Sequence, residues 1–220
     1  YNQLGRRDNK YKARIKILVR AMGVDAFREK VEEQWQPIKG GPSTLLDEDF
    51  EHARSFFRSP AYDIIDDGAA TTELNGQAET DSGFANWLKR NVSQHQSPGY
   101  AIVTLSLKET GYAPGDITDS QMEKVADLAE QFSFGEIRSS HQQNLVLAHV
   151  KKSDLYTIWK QAVAHGFATP NIGYLTDIIC CPGGDFCALA NAKSIPIAEA
   201  IQRQFDDLDY LYDLGQIDLN

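Results

Sequence analysis

Apolar residues recur at helical spacing near the start of the chain. Tyr11, Ile15, Leu18, Val19 and Met22 fall on one stripe and predict a helix over residues 8–22. Gly23 follows, where a helix stop is expected. A second helix is predicted from Val24 to Trp35, with Phe27, Val31 and Trp35 on one side. Pro37, Gly40, Gly41 and Pro42 then break the pattern, and a third short helix is predicted around Asp47–Arg58.

Residues 60–85 read differently. Asp63, Asp66, Asp67, Glu73, Glu79 and Asp81 stand among Gly, Thr and Ala with no Lys or Arg. The expectation is a mobile acidic linker.

From Gly99 the period changes to two. Ala101, Val103, Leu105 and Leu107 alternate with other residues, so 99–108 is predicted as a strand. A loop at Tyr112–Gly115 leads to Thr118 and Gln121, which form a capping box for a helix carrying Met122, Val125, Ala126, Ala129 and Phe132. Glu136–Ser140 and Asn144–Val150 are predicted as two more strands. Ser153 or Asp154 caps a helix with Leu155, Ile158, Trp159, Ala162 and Val163, stopped by Gly166. A last helix is predicted over Ile197–Leu211. This βαββα order predicts an α+β sandwich with helices on one face of a small sheet.

Composition is that of an ordinary globular protein, 42% hydrophobic and 24% charged. No apolar run approaches the ~20 residues of a membrane span, and no signal peptide opens the chain. The abrupt charged opening reads as a segment of something longer. The net charge of −9 argues against nucleic-acid binding. Its distribution is polar: residues 1–20 carry seven Lys/Arg against Asp8, and residues 201–220 carry five Asp against Arg203. That asymmetry suits either an anionic ligand near the N-terminal helix or two solvated faces.

All three cysteines, Cys180, Cys181 and Cys187, lie close together. A tight, odd-numbered cluster fits a reducing cytoplasm and a metal or redox role better than a disulfide scaffold. Cys181 and Cys187 frame Pro182-Gly183-Gly184-Asp185-Phe186, a segment able to bend sharply enough to bring two thiolates to one centre. Neighbouring side chains in extended backbone point opposite ways, so Cys180 is expected to pack rather than ligate. The spacing alone also allows buried structural cysteines.

Two further groups carry candidate chemistry. Arg138, Gln143 and Asn144 sit around a predicted strand turn, as donors for a carboxylate or a macrocycle edge, or as an ordinary polar hairpin. Arg7, Lys10 and Arg14 fall on one face of the predicted first helix, against an anionic cofactor or facing solvent.

Together these pieces resemble the siroheme-dependent sulfite and nitrite reductases. Asp177-Ile-Ile-Cys-Cys-Pro-Gly-Gly-Asp-Phe-Cys187-Ala-Leu-Ala looks like that family's first cluster motif, a C-x5-C followed by a small-residue helix. Arg138-Ser-Ser-His-Gln-Gln143-Asn144-Leu is similar to its siroheme-side strand motif, and Lys10-Tyr-Lys-Ala-Arg14-Ile-Lys16 to its basic helix. The similarity runs from about residue 5 to 205, and the acidic stretch 60–85 has no counterpart.

The resemblance implies Cys181 and Cys187 as two ligands of a [4Fe–4S] cluster, with Lys10, Arg14, Arg138, Gln143 and Asn144 contacting siroheme. It implies six-electron reduction of sulfite to sulfide or nitrite to ammonia, with a lean to assimilatory sulfite reduction. An electron-donor protein or flavoprotein subunit is implied as partner, with no nucleic acid and no membrane. The expected organisation is 1–59 as the N-terminal helical part of a siroheme/4Fe–4S domain, 60–85 as an acidic linker, 86–168 as a ferredoxin-like α+β half-domain, and 169–220 as the start of a second cluster-binding segment with a C-terminal helix. The family's second motif, C-x3-C, is absent, and no cysteine follows Cys187. A cluster needs its full thiolate set, so the cofactors are expected of the intact protein rather than of this segment. The competing readings are a non-redox α+β module with structural or zinc-binding cysteines, and a small interaction domain acting through its acidic surface.

Overall fold

The computed structural model of the chain describes residues 2–9 and 11–219. It divides into two units, residues 1–60 and 61–220.

The first unit is helical: α1 (Ile15–Met22), α2 (Val24–Trp35) and α3 (Asp47–Ser55). The stripe predicted over 8–22 forms a helix only from Ile15. Arg14 precedes it in extended backbone, at φ −134°, and residues 2–5 and 7–8 form turns or bends. Arg7 and Arg14 therefore share no helical face, and the Lys10 expectation lies outside the described residues. Gly23, at φ +84°, ends α1 and starts α2, a backbone turn that costs glycine little. Leu18, Phe27, Val31 and Trp35 line a groove of about 280 Å³. In α3, Asp49 accepts from Leu46 N–H at 2.8 Å, and acids fill the first turn, where the helix dipole favours them.

Only residues 60–66 and Asp81 of the stretch expected as a loop lack regular structure: α4 spans Asp67–Thr80 and α5 spans Ser82–Asn91. The acids expected to be solvated hold these helices in place. Asp66 accepts from Gly68 N–H and Ala69 N–H, and Asp81 accepts from Phe84 N–H. Such caps contribute roughly 1 kcal/mol each. Asp67 meets Lys152 at 2.7 Å and also accepts from Gly99 N–H at 2.7 Å. Leu74 and Ala78 pack against the core.

The sheet is antiparallel throughout. Its strands β1 (Val92–Gln94), β2 (Tyr100–Leu105), β3 (Arg138–Ser139) and β4 (Leu145–Lys151) lie in the order β1-β2-β4-β3. Between β2 and β3 runs α6 (Asp119–Phe132), opened by the predicted capping box of Thr118 and Gln121. After β4 comes α7 (Leu155–Ala164). One face of the sheet meets α5, α6 and α7 through Phe84, Trp87, Val125, Leu128, Leu155 and Ile158, all buried.

Register in β4 depends on one extra residue. Val103 pairs with Leu147 while Ala101 pairs with Val150, a bulge at Ala148-His149. Leu145 and Leu147 face the helices before the bulge and Val150 after it, so the core face changes parity. His149 is thereby carried to the opposite face.

The C-terminal part holds α8 (Ile195–Gln204) and α9 (Leu208–Leu214) in place of the single predicted helix over Ile197–Leu211. Asp207 divides them by accepting from Asp209 N–H and Tyr210 N–H, which starts a new helix. Arg90 of α5 lies over the rings of both Tyr174 and Tyr212, 4.3 Å from each centroid. No helix among the described residues is long and apolar enough to cross a membrane.

Candidate functional site

The cysteine segment enters without regular secondary structure, with Ile179 N–H bonded to Leu219 O at 2.9 Å. Burial alternates along it. Ile178 and Cys180 are buried together with Ala198, while Cys181 is exposed, as expected from adjacency. Burial and the nearby Cys181 and Asp116 push the Cys180 thiol up, which suits a packed, protonated group.

The bend after Cys181 is tight. Pro182 precedes a 3₁₀ turn over Gly183–Asp185, and Cys187 N–H donates to Gly183 O at 2.8 Å. Gly183 has φ +60°, and a Cβ there would lie 2.6 Å from Ser194 Oγ and 2.7 Å from Ala192 O. Only glycine fits. Gly184 N–H donates to Ala192 O, and Asp185 pairs with Lys193 at 2.8 Å, fixing the outer side of the loop. Cys181 and Cys187 are both exposed free thiols at its two ends. Cys187 is followed by a turn, and α8 starts only at Ile195, so the expected small-residue helix does not follow directly. Among the described residues, no three His, Cys, Asp or Glu side chains are grouped to hold a metal.

Gln143 reaches this segment from the β3–β4 turn. Its Oε1 accepts from Cys180 N–H and its Nε2 donates to Cys180 O, each at 2.9 Å. Its backbone is left-handed, at φ +59°, a conformation costing a non-glycine residue roughly 1 kcal/mol. Gly115 makes room for it: a Cβ at Gly115 would stand 3.0 Å from the Cβ of Gln143. Gly115, Gln143, Cys180, Pro182 and Phe186 share a cavity of about 280 Å³.

Asn144 lies behind Gln143 and is buried. Its Nδ2 donates to Asp177 Oδ1 at 2.8 Å, and its Oδ1 accepts from Leu107 N–H at 3.1 Å and Lys108 Nζ at 3.2 Å. Asp177 also accepts from Gly173 N–H. Lys108 Nζ donates to Gln142 O at 2.6 Å and Gln143 O at 3.0 Å, and stands 3.6 Å from Asp177 Oδ1. Burial pushes the Lys108 amine down, and the Asp177 carboxylate opposes that shift. The donor amides expected at a macrocycle edge are thus hydrogen-bonded to the protein itself.

Arg138 stands apart from that cavity. It is exposed on edge strand β3 and pairs with Glu136. Glu136 Oε2 lies 3.3 Å from His149 Nε2, and His149 Nδ1 lies 3.1 Å from His95 Nε2 and 3.0 Å from the Tyr62 hydroxyl. Ser97 N–H donates to His95 Nδ1, which leaves the proton of neutral His95 on Nε2, directed at His149 Nδ1. His149 then carries its own proton on Nε2, directed at Glu136. Burial pushes the His149 imidazole down, and Glu136 opposes that shift.

Lys108 and Asp177 were missed as a pair in the sequence. The available signal was a charged residue immediately after the alternating strand that ends at Leu107. The structure joins Gln143, Asn144 and the cysteine segment. It leaves Arg138 with Glu136, and Arg14 is exposed at the start of α1.

Residues 93–165 match the nitrite/sulfite reductase ferredoxin-like half domain, and residues 1–39 match the nitrite and sulphite reductase 4Fe-4S domain. Neither match reaches Cys181 or Cys187. The chain belongs to the siroheme- and [4Fe–4S]-dependent nitrite/sulfite reductase family.

Among individual proteins, the chloroplastic ferredoxin–nitrite reductase of Betula pendula is 23% identical over 209 residues, covering 93% of this chain and 30% of its own length. The assimilatory ferredoxin-dependent nitrite reductase of Haloferax mediterranei is 24% identical over 194 residues, covering 86% and 28%. The solved NirA protein of Mycobacterium tuberculosis shares the fold, with a TM-score of 0.53 at 19% identity over 98% of this chain and 33% of its own. The chain spans about a third of the length of these relatives.

Proposed function

We propose that this chain is the part of a six-electron reductase that holds the N-terminal helical part of a siroheme/4Fe–4S domain (1–59), carries a ferredoxin-like half-domain (86–168) and starts the second cluster-binding segment (169–220). In the intact protein the reaction is reduction of nitrite to ammonia with ferredoxin as donor, in the cytoplasm. The observation carrying this reading is the pair of exposed thiols at the two ends of the Gly183 bend. Family membership gives that pair its chemistry. The named substrate and donor of the relatives favour nitrite and ferredoxin over the sulfite to which the sequence leaned.

The donor set fits half of a cluster. Cys181 and Cys187 supply two of the four thiolates a cluster takes, and the remaining two lie outside this chain. When bound, siroheme and the cluster supply the redox chemistry. This chain's residues hold and orient. Gln143 fixes the backbone entering Cys181, Gly183 sets the bend to Cys187, and Arg14 and Arg138, with Lys10, offer positive charge to a macrocycle rich in carboxylates. Gln143 and Asn144 act by placing the loop.

The test is made on full-length protein. Iron and acid-labile sulfide are measured, the visible spectrum is recorded, and oxidation of reduced ferredoxin is followed with nitrite and with sulfite. Iron–sulfur and siroheme absorbance with faster turnover of nitrite is expected. Preference for sulfite would overturn the substrate, and protein without iron would overturn the whole reading.

A further inference from the structure

Lys108 is a fully buried cation whose three hydrogen bonds converge on one turn. Its ammonium has three hydrogens, and three acceptors meet it: Gln142 O at 2.6 Å, Gln143 O at 3.0 Å and Asn144 Oδ1 at 3.2 Å. Its side chain is 0% exposed, and its countercharge, Asp177, is 3% exposed. Replacing such a pair by apolar groups of the same shape is often neutral or stabilising, so general stability is a weak account of it.

Its placement offers a better one. Two of the three acceptors are the consecutive carbonyls of Gln142 and Gln143, and Gln143 is the residue held left-handed. Turning both carbonyls toward one ammonium fixes the backbone from which the Gln143 side chain leaves. That side chain in turn closes on both backbone polar groups of Cys180. Asn144 ties the same ammonium to Asp177, and Asp177 lies on the chain leading into the cysteines. The contacts form a series: Lys108 sets Gln143, Gln143 sets Cys180, and Cys180 delivers Cys181.

We propose that Lys108 is a positioning residue for the cysteine loop, acting through the left-handed Gln143 to set where Cys181 presents its thiolate. This rests on the reading of Cys181 and Cys187 as cluster ligands.

The experiment compares wild-type full-length protein with Lys108→Met, Gln143→Ala and the double variant. The alkylation rate of Cys180 by iodoacetamide is read by peptide mass spectrometry, beside the thermal midpoint followed by tryptophan fluorescence. Local release should raise the Cys180 rate about tenfold in either single variant at a temperature well below its own thermal midpoint, which falls in both. The double variant should react no faster than the faster single one, because the two residues act in series. A Cys180 rate in Lys108→Met equal to wild type, or a double variant showing the product of the single effects, overturns the proposal.

If Lys108→Met does not fold, hydrogen exchange on the wild type decides. The amides of Leu107, Gly173 and Cys180 each donate to a side chain of this network, so they should exchange as one unit. Exchange of the Cys180 amide about a hundredfold faster than the other two overturns the series. The cofactor reading fails separately: wild-type protein lacking iron–sulfur absorbance would sink it without altering any Cys180 rate.

Discussion

The side-chain amide of Gln143 and the backbone of Cys180 form a closed two-bond pair, each bond 2.9 Å long. A hairpin turn is thereby joined to the residue before the first candidate ligand. Gln143→Ala removes both bonds and leaves the buried Cys180 N–H and C=O to find water. A loss of about 1–3 kcal/mol is expected by urea denaturation. Iron content of the full-length protein should fall with it, and unchanged iron would show that the pair does not serve the loop.

Asp66 and Asp81 are predicted to matter as caps. Asp66→Ala and Asp81→Ala should each cost about 0.5–2 kcal/mol. Far-UV circular dichroism should lose signal from α4 and α5 as well. A linker would lose neither stability nor helicity.

Acid should loosen the second unit through His149. Burial favours its neutral form, so its folded pKa lies below the unfolded value of about 6.5. Below that value the unfolded chain binds more protons than the folded one. Stability present above about pH 6.5 is therefore lost as pH falls toward the folded pKa. The groups facing His149 are Tyr62, His95 and Glu136, with Arg138 beyond Glu136. His149→Gln should flatten this slope below about pH 6.5. An unaltered slope would assign the effect to other groups.

The β4 bulge makes a deletion prediction. Removing Ala148 alone restores simple alternation, with Leu147 and Val150 both still facing the helices. By contrast, Leu147→Ala keeps the register and should cost about 2–5 kcal/mol as a cavity. Deletion of Ala148 should keep a cooperative thermal transition with a smaller fall in midpoint than Leu147→Ala, and loss of that transition would show that the bulge itself is required.

Much of this was legible in the sequence where the cause was local. The alternation through Ala101, Val103 and Leu105 marked a central strand, and Thr118 with Gln121 marked a helix start. The opposite exposures of Cys180 and Cys181 followed from adjacency. The misses have distant partners. Asp67 looked like solvated charge because its partner is Lys152. Gln143 and Asn144 looked like free donors because Cys180, Asp177 and Lys108 become neighbours only on folding. Asp207 was read as part of a continuous helix because a cap and an interior acid look alike until the backbone turns.

The crowding around Gly183 makes that residue a gauge one carbon atom wide. A methyl group there cannot coexist with Ser194 and Ala192 in their present positions, so either the entry to α8 or the reach between Cys181 and Cys187 must yield. The smallest possible edit to this chain would therefore sever the geometry of its sulfur pair from the helix that follows, with both sulfurs still present.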